Sequence, residues 1–146
     1  MSKRKAPGKT ATGARVPGVR GTAGALDHAE TGSLEEFRKF RERMNAEILG
    51  ENNLVINRFF ALDGRTYEAG ALDVKTKELL GLVASLVLRC DDCITYHIKQ
   101  CADAGVTREE FLDAFNVALV VGGSITIPHL RRAVDRLDHL LEGSKE

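Results

Sequence analysis

Residues 72–97 read LDVKTKELLGLVASLVLRCDDCITYH, and this stretch predicts two consecutive helices. Asp73 is a suitable N-cap for the first helix, which we expect to run to about Leu88. This helix has a broad apolar surface, formed by Leu79, Leu80, Val83, Leu86 and Val87. Such a surface indicates a central position in the fold. The second helix is expected to begin near Cys90 and to end before Gly105, which suits the left-handed backbone that often follows a helix.

Two further helices are predicted upstream of this pair. Ser33-Leu34-Glu35-Glu36 forms a capping box, in which Ser33 is the N-cap and Glu36 reaches back to it. Spacings of three and four residues then mark one face of a helix that ends at Gly50, formed by Leu34, Phe37, Phe40, Met44 and Ile48. Leu54, Val55, Phe59 and Leu62 indicate a second helix, which we expect to end near Asp63-Gly64 before an irregular piece from Arg65 to Leu72.

Two more helices are predicted downstream. Thr107-Arg108-Glu109-Glu110 is a second capping box and opens a helix that Gly122-Gly123 should break. Its apolar positions are Phe111, Leu112, Phe115, Ala118, Leu119 and Val120. Pro128 fits the first turn of a last helix, whose apolar stripe is Leu130, Val134, Leu137 and Leu141. Since no strand-like alternation persists beyond a few residues, the body is predicted to be all-α.

Composition limits the classes of protein to which the chain can belong. Its 146 residues suit one domain, and with 5% aromatic residues and no Trp the core must be aliphatic. The 21 basic and 21 acidic residues give a net charge of zero, so a nucleic-acid binder is not expected. The longest apolar stretch, Leu79 to Leu88, is too short to span a bilayer, which needs about 20 residues.

The charge is unevenly distributed along the chain. Residues 1–26 contain six basic residues and no acidic one, together with several glycines and prolines. Such a segment buries too little apolar surface to offset the entropy of ordering it. We therefore predict a disordered basic tail over residues 1–30 and a helical domain over residues 31–146.

Three cysteines are too few for a disulfide-built scaffold, and no apolar signal-peptide core follows Met1. We therefore expect a cytoplasmic protein with reduced thiols, in which closely spaced cysteines indicate redox chemistry or metal binding. If a helix begins near Cys90, then Cys90 and Cys93 lie one turn apart at a Cα separation of about 5 Å, which a disulfide allows. His97 lies on the same face, one turn further along.

The surroundings of these cysteines act on their thiols in opposite directions. A helix N-terminus favours the thiolate and lowers the pKa of a cysteine, whereas Asp91 and Asp92 disfavour it by like charge. The net direction therefore stays open at the level of sequence. Glu78 lies in the preceding apolar helix, where a carboxylate needs a partner, and could accept a proton from a cysteine or from His97.

Zinc binding is the main chemical alternative, because Cys101 extends the series of possible ligands formed by Cys90, Cys93 and His97. On one straight helix, however, Cys101 lies about 12 Å beyond Cys93. Four such residues cannot all reach one tetrahedral ion. A zinc site would need a ligand from elsewhere, such as His129 or another subunit, and Cys101 is better explained by packing in a core or an interface.

Glu78, the pair Cys90-x-x-Cys93 and His97 together resemble the signature of the alkylhydroperoxidase D-like branch of the carboxymuconolactone decarboxylase family. The flanking stretches agree as well, namely LDVKTKELL at residues 72–80 and AGVTREE at residues 104–110. The resemblance extends from about Leu54 to Leu137 and is specific, because the motif and its flanks agree together.

The resemblance implies an all-helical bundle that assembles into trimers or hexamers and reduces hydroperoxides. It further implies that Cys93 attacks the peroxide, that Cys90 resolves the sulfenic acid to a disulfide, and that Glu78 and His97 relay protons. No bound cofactor is implied, since an external dithiol of lipoyl or thioredoxin type would regenerate the enzyme. Two departures are Asp91-Asp92, where some relatives carry a histidine, and residues 122–129, which differ from the Gly-Gly-Pro type of many relatives.

The leading hypothesis is thus an antioxidant oxidoreductase, either a thiol peroxidase with peroxiredoxin-type activity or a reductase of small disulfides. A lyase acting on a small carboxylated lactone, with His97 and Glu78 as acid and base, is the second. The resemblance argues against it, because the decarboxylase members lack the dithiol. The third is a non-catalytic module that uses the dithiol as a redox sensor.

Overall fold

The computed structural model describes residues 33–143, and these form six α-helices and one short 3₁₀ turn. The helices are α1 (Leu34–Gly50), α2 (Leu54–Tyr67), α3 (Val74–Leu88), α4 (Asp91–Asp103), α5 (Arg108–Gly122) and α6 (Ile127–Gly143), with the 3₁₀ turn at Ser124–Thr126. The prediction of an all-α body is confirmed. The predicted basic tail lies outside the described residues.

Most helix boundaries follow the caps that the sequence predicts. Both capping boxes are present, with Ser33 bonded to Glu36 and Thr107 bonded to Glu110. The side chain of Asp73 accepts a hydrogen bond from the backbone of Thr76 and starts α3. Each cap satisfies N–H groups that a helix cannot bond internally, which explains why local sequence is enough to place these ends.

The predicted end of α2 is wrong. Helix α2 continues through Gly64 to Tyr67, so the irregular connection to α3 covers only residues 68–73. Gly64 does not interrupt the helix, because an isolated glycine weakens a helix by only about 1 kcal/mol. The longer helix carries Tyr67 to the candidate site described below.

Helix α3 packs against both α4 and α5, and α4 also packs against α6. The hydrophobic side chains that are fully buried between these four helices are mostly aliphatic and include Leu82, Leu86, Ile94, Ile98, Cys101, Phe111 and Leu137. The predicted central position of α3 is therefore confirmed. Leu80, Leu112 and Val120, which we assigned to apolar faces, are instead 56%, 43% and 86% exposed.

Helices α1 and α2 contribute no buried residue to this core. Val55, Phe59 and Leu62 lie on one face of α2 and are 76%, 67% and 63% exposed. A contiguous exposed apolar face of this kind is uncommon on a monomeric protein. Within residues 33–143, no helix combines the length and the apolar character needed to cross a bilayer.

Candidate active site

The connection between α3 and α4 consists of only Arg89 and Cys90, and it turns the chain back on itself. Arg89 adopts the left-handed conformation (φ 60°) and Cys90 is the N-cap of α4. Such a short connection places two helices side by side in opposite directions. As a result, the carboxylate of Glu78 on α3 faces the middle of α4.

Cys90 and Cys93 are joined in a disulfide with a Cα separation of 5.2 Å, in agreement with the predicted spacing. Cys93 is exposed and Cys90 is half-buried, so the bond lies at the surface of the domain. The backbone N–H of Cys93 donates to the sulfur of Cys90 at 3.4 Å. The free N–H groups and the dipole of the α4 N-terminus both favour negative charge on sulfur once the bond is reduced.

His97 and Glu78 form a buried pair, with His97 one turn of α4 after Cys93. His97 Nδ1 lies 2.7 Å from Glu78 Oε2, and the two residues are 7% and 3% exposed. Because a carboxylate can only accept, Nδ1 is the donor in this bond, and whenever the ring is neutral its Nε2 atom carries a lone pair. Glu78 thereby fixes the tautomer and the orientation of an imidazole that lies one helical turn from Cys93.

Gly81 makes room for this imidazole. A Cβ atom built on Gly81 would lie 2.5 Å from His97 Cε1 and 2.8 Å from Nε2, which is far inside van der Waals contact. The ring is held by Glu78 and cannot turn away without losing that bond. The approach of α4 to α3 at this point therefore requires a residue without a side chain.

Tyr67 from the end of α2 covers the other side of the ring. Its hydroxyl oxygen is 3.5 Å from His97 Nε2, and the ring centroids are 5.3 Å apart. Burial, aided by the negative charge of Glu78, raises the pKa of Tyr67, so its hydroxyl stays protonated at neutral pH and can donate to Nε2. Glu78, His97 and Tyr67 thus form one chain of polar atoms that runs from α3 through α4 to α2.

The four residues predicted from the sequence are therefore close together, whereas Cys101 lies apart from them. Cys101 is completely buried in the core, and burial raises the pKa of its thiol to about 12. Among residues 33–143, no group of three or more His, Cys, Asp or Glu side chains is arranged to hold a metal ion. A cavity of about 730 Å³ lies between α1, α4 and α6, but none of the four predicted residues lines it.

Sequence reasoning missed Tyr67 and Gly81. Gly81 had a usable signal, because a lone glycine inside an apolar helical run often marks a close approach. Tyr67 had none, since it fell within the piece predicted to be irregular. From the sequence, His129 was considered as a possible metal ligand. Its Nδ1 lies 2.8 Å from Asp91 Oδ1, directly beside Cys90 in the sequence.

Comparison with known proteins agrees with this architecture. The model of the carboxymuconolactone decarboxylase family matches residues 54–136, more than half of the chain. The chain belongs to this family. The uncharacterised protein 4 of the cox locus of Paracoccus denitrificans is 32% identical over 82 residues, which cover 56% of this chain and 74% of that protein.

Two solved structures extend the similarity to three dimensions. TM1620 of Thermotoga maritima is 54% identical with a TM-score of 0.75, over 76% of this chain and 97% of that one. A second crystal structure of TM1620 describes it as a carboxymuconolactone decarboxylase family protein with a suggested involvement in the antioxidative response. The apo form of lpg0406 from Legionella pneumophila, of the same family, is 25% identical with a TM-score of 0.67, over 73% of this chain and 95% of that one.

Proposed function

We propose that the protein is a thiol-dependent peroxidase that cycles Cys90 and Cys93 between dithiol and disulfide. The observation that carries this proposal is a surface disulfide at a helix N-terminus, one helical turn before the His97 of a buried Glu78–His97 pair. An exposed dithiol can meet a peroxide, and an oriented imidazole can move the protons that the reaction requires. The suggested antioxidative involvement of TM1620 points to the same chemistry.

In the first step His97 accepts the proton of the Cys93 thiol, and the resulting thiolate attacks the terminal oxygen of a hydroperoxide. The O–O bond breaks, Cys93 becomes a sulfenic acid, and the alkoxide takes a proton from the His97 relay and leaves as an alcohol. The Cys90 thiolate then attacks the Cys93 sulfur, forming the disulfide and releasing hydroxide, which is protonated to water. Two thiols have then lost two electrons, and the peroxide has gained them.

An external dithiol of lipoyl or thioredoxin type completes the cycle. One of its thiolates attacks the enzyme disulfide to give a mixed disulfide, and its second thiol resolves this bond and returns Cys90 and Cys93 to the reduced form. The partner leaves as a disulfide, so electrons and protons balance. A reducing compartment such as the cytoplasm would sustain this cycle, and no resident cofactor takes part.

The proposal includes self-association. The exposed face of Val55, Phe59 and Leu62 on α2 is apolar enough to seat a second copy of the chain. A trimer or a hexamer is the assembly that the family resemblance favours. Because Tyr67 lies at the end of the same helix, an interface on α2 would also restrict the movement of Tyr67 next to His97.

The proposal is tested by thiol titration of the reduced protein before and after a panel of hydroperoxides. We expect a stoichiometric loss of two thiols and a decrease in mass of two protons, followed by regeneration with dihydrolipoyl or thioredoxin-type dithiols. Cys93→Ser should abolish turnover. If the folded protein keeps both surface thiols in excess peroxide, the proposal is wrong.

A second candidate is a lyase, which the buried acid–base pair of Glu78 and His97 favours. It predicts that Cys90→Ser and Cys93→Ser retain activity on a carboxylated lactone, whereas His97→Gln does not. A sensor without catalysis would instead show reversible oxidation and no turnover with any reductant. The thiol variants therefore separate the lyase from the other two functions, and turnover of the natural protein separates the peroxidase from the sensor.

A further inference from the structure

Three side chains form a polar cluster beside the disulfide that the proposed reaction does not use. Asp91 directly follows Cys90 and is the first residue of α4. Its Oδ1 lies 2.8 Å from His129 Nδ1, and its Oδ2 lies 2.9 Å from a terminal nitrogen of Arg132. His129 and Arg132 both belong to the beginning of α6, so the cluster joins two helices at the cysteines.

The cluster is an ion pair rather than a neutral acid. Burial by itself raises the pKa of Asp91, but hydrogen bonds from Arg132 and His129 outweigh it, and the net effect lowers the pKa below its ordinary value of 3.8. Asp91 is therefore ionised at neutral pH. An unpaired carboxylate next to Cys90 would oppose formation of a thiolate, whereas the Asp91–Arg132 pair carries no net charge.

We propose that Arg132 is a positioning residue that offsets the charge of Asp91 beside Cys90 and so keeps the reduced dithiol acidic enough to react. His129 completes the cluster by donating to the second carboxylate oxygen, which fixes the direction of the carboxylate. This inference deepens the proposed peroxidase function and rests on it, because it concerns the reactivity of the reduced dithiol. The pairing leaves Asp92 as the uncompensated one of the two aspartates that follow Cys90.

The other charged and titratable groups around the dithiol are placed differently. Asp92 is exposed and forms no ion pair within residues 33–143, and Arg89 is exposed in the connection before Cys90. Glu78 and His97 are occupied with each other. Of Arg89 and Arg132, Arg132 is the one that is paired with Asp91.

The test uses the reduced full-length chain and follows thiolate absorbance in the ultraviolet as a function of pH, without any peroxide. Arg132→Gln should raise the thiol pKa, on the order of one unit, because the charge of Asp91 is left uncompensated. Asp91→Asn should lower the thiol pKa by a similar amount, because Arg132 then acts alone. The double variant carries no net charge, as in the natural protein, and should return to the natural thiol pKa.

Two controls separate charge from packing. Arg132→Lys keeps the charge and should retain most of the natural thiol pKa. Arg136→Gln removes a cation one turn further along α6 that has no ion pair among the described residues, and it should leave the thiol pKa unchanged. Should Arg132→Gln fail to fold, the comparison of Asp91→Asn with the double variant still decides the question.

Shifts of the same sign in both single variants, or a double variant that does not return toward the natural value, would overturn the inference. Such results would show that the cluster only packs α4 against α6. Because no peroxide is used, this outcome is separate from the fate of the proposed function. If the thiol pKa values change as expected but the protein consumes no peroxide, the proposed peroxidase function is wrong and the proposed role of Arg132 still holds.

Discussion

Cys101 shares α4 with the reactive pair but differs from it in burial. Its side chain is 0% exposed, and its thiol pKa is raised to about 12, so almost no thiolate exists at neutral pH. We therefore expect iodoacetamide to label two cysteines in the reduced native protein and all three after unfolding in urea. Mass spectrometry of the labelled chain measures this directly, and a third label on the native protein would contradict it.

Gly81 decides whether His97 can lie where Glu78 holds it. A methyl group at this position would lie within 3 Å of three atoms of the imidazole ring. Gly81→Ala should therefore displace the ring and lower kcat of the proposed peroxidase by roughly 10–100-fold, as expected for a displaced reacting group. The measurement is steady-state peroxide consumption with a dithiol reductant.

Gly64→Ala is the matched control for this variant, because Gly64 is also helical and a Cβ atom there would meet nothing within 4 Å. It should keep full activity and raise the free energy of unfolding by about 0.5–1 kcal/mol, the usual gain from replacing a helical glycine. Equal activity losses in both variants would mean that the close approach at Gly81 has no special role.

At the scale of helices, the first turn of α5 is linked to α3. Thr107 caps α5 reciprocally with Glu110, and Glu110 also pairs with Lys75 of α3 at 2.7 Å. Thr107→Ala should lower the free energy of unfolding by about 1 kcal/mol, the typical value of an N-cap. Urea unfolding measures this change, and the thiol chemistry should stay unaltered because Thr107 follows the C-terminal end of α4 and the cysteines lie at its N-terminal end.

The link between α4 and α6 gives the stability of the fold a definite dependence on pH. Since the pKa of Asp91 is lowered in the folded protein, its contribution is present above the ordinary value of 3.8 and is lost as pH falls through the folded value. Natural protein should therefore exceed Asp91→Asn in stability at neutral pH, and the difference should disappear in acid. Urea unfolding at a series of pH values tests this, with the exposed Asp92→Asn as the control.

At the scale of the whole molecule, the exposed face of α2 predicts assembly. We expect sedimentation to give a mass that is a multiple of the 16.0 kDa chain. Phe59→Glu should shift the protein toward monomers, because it places a charge in an apolar interface. Arg58→Glu, which alters a charged exposed position on the same helix, should leave the assembly intact. A monomer in the natural protein would refute the proposal.

Much of this molecule follows from local sequence. The helices around Ser33, Asp73 and Thr107 are determined by caps and apolar spacing, which depend on residues only three or four positions apart. The 5.2 Å separation of Cys90 and Cys93 follows from helical geometry in the same way. Each of these features needs only the conformation of a single segment, so it could be inferred before the helices were assembled.

Only the tertiary structure decided which residues of different helices contact each other. Three contacts of the site join residues that are far apart in the sequence. Glu78 and His97 are 19 positions apart, Tyr67 and His97 are 30 apart, and Asp91 and Arg132 are 41 apart. Helical periodicity gives the direction of a side chain around its own axis but not which other helix it faces. Packing of α3, α4 and α6 supplies that information for Glu78 and Asp91, because the aliphatic core admits few ways of placing these helices together, and the contact of α2 with α3 supplies it for Tyr67.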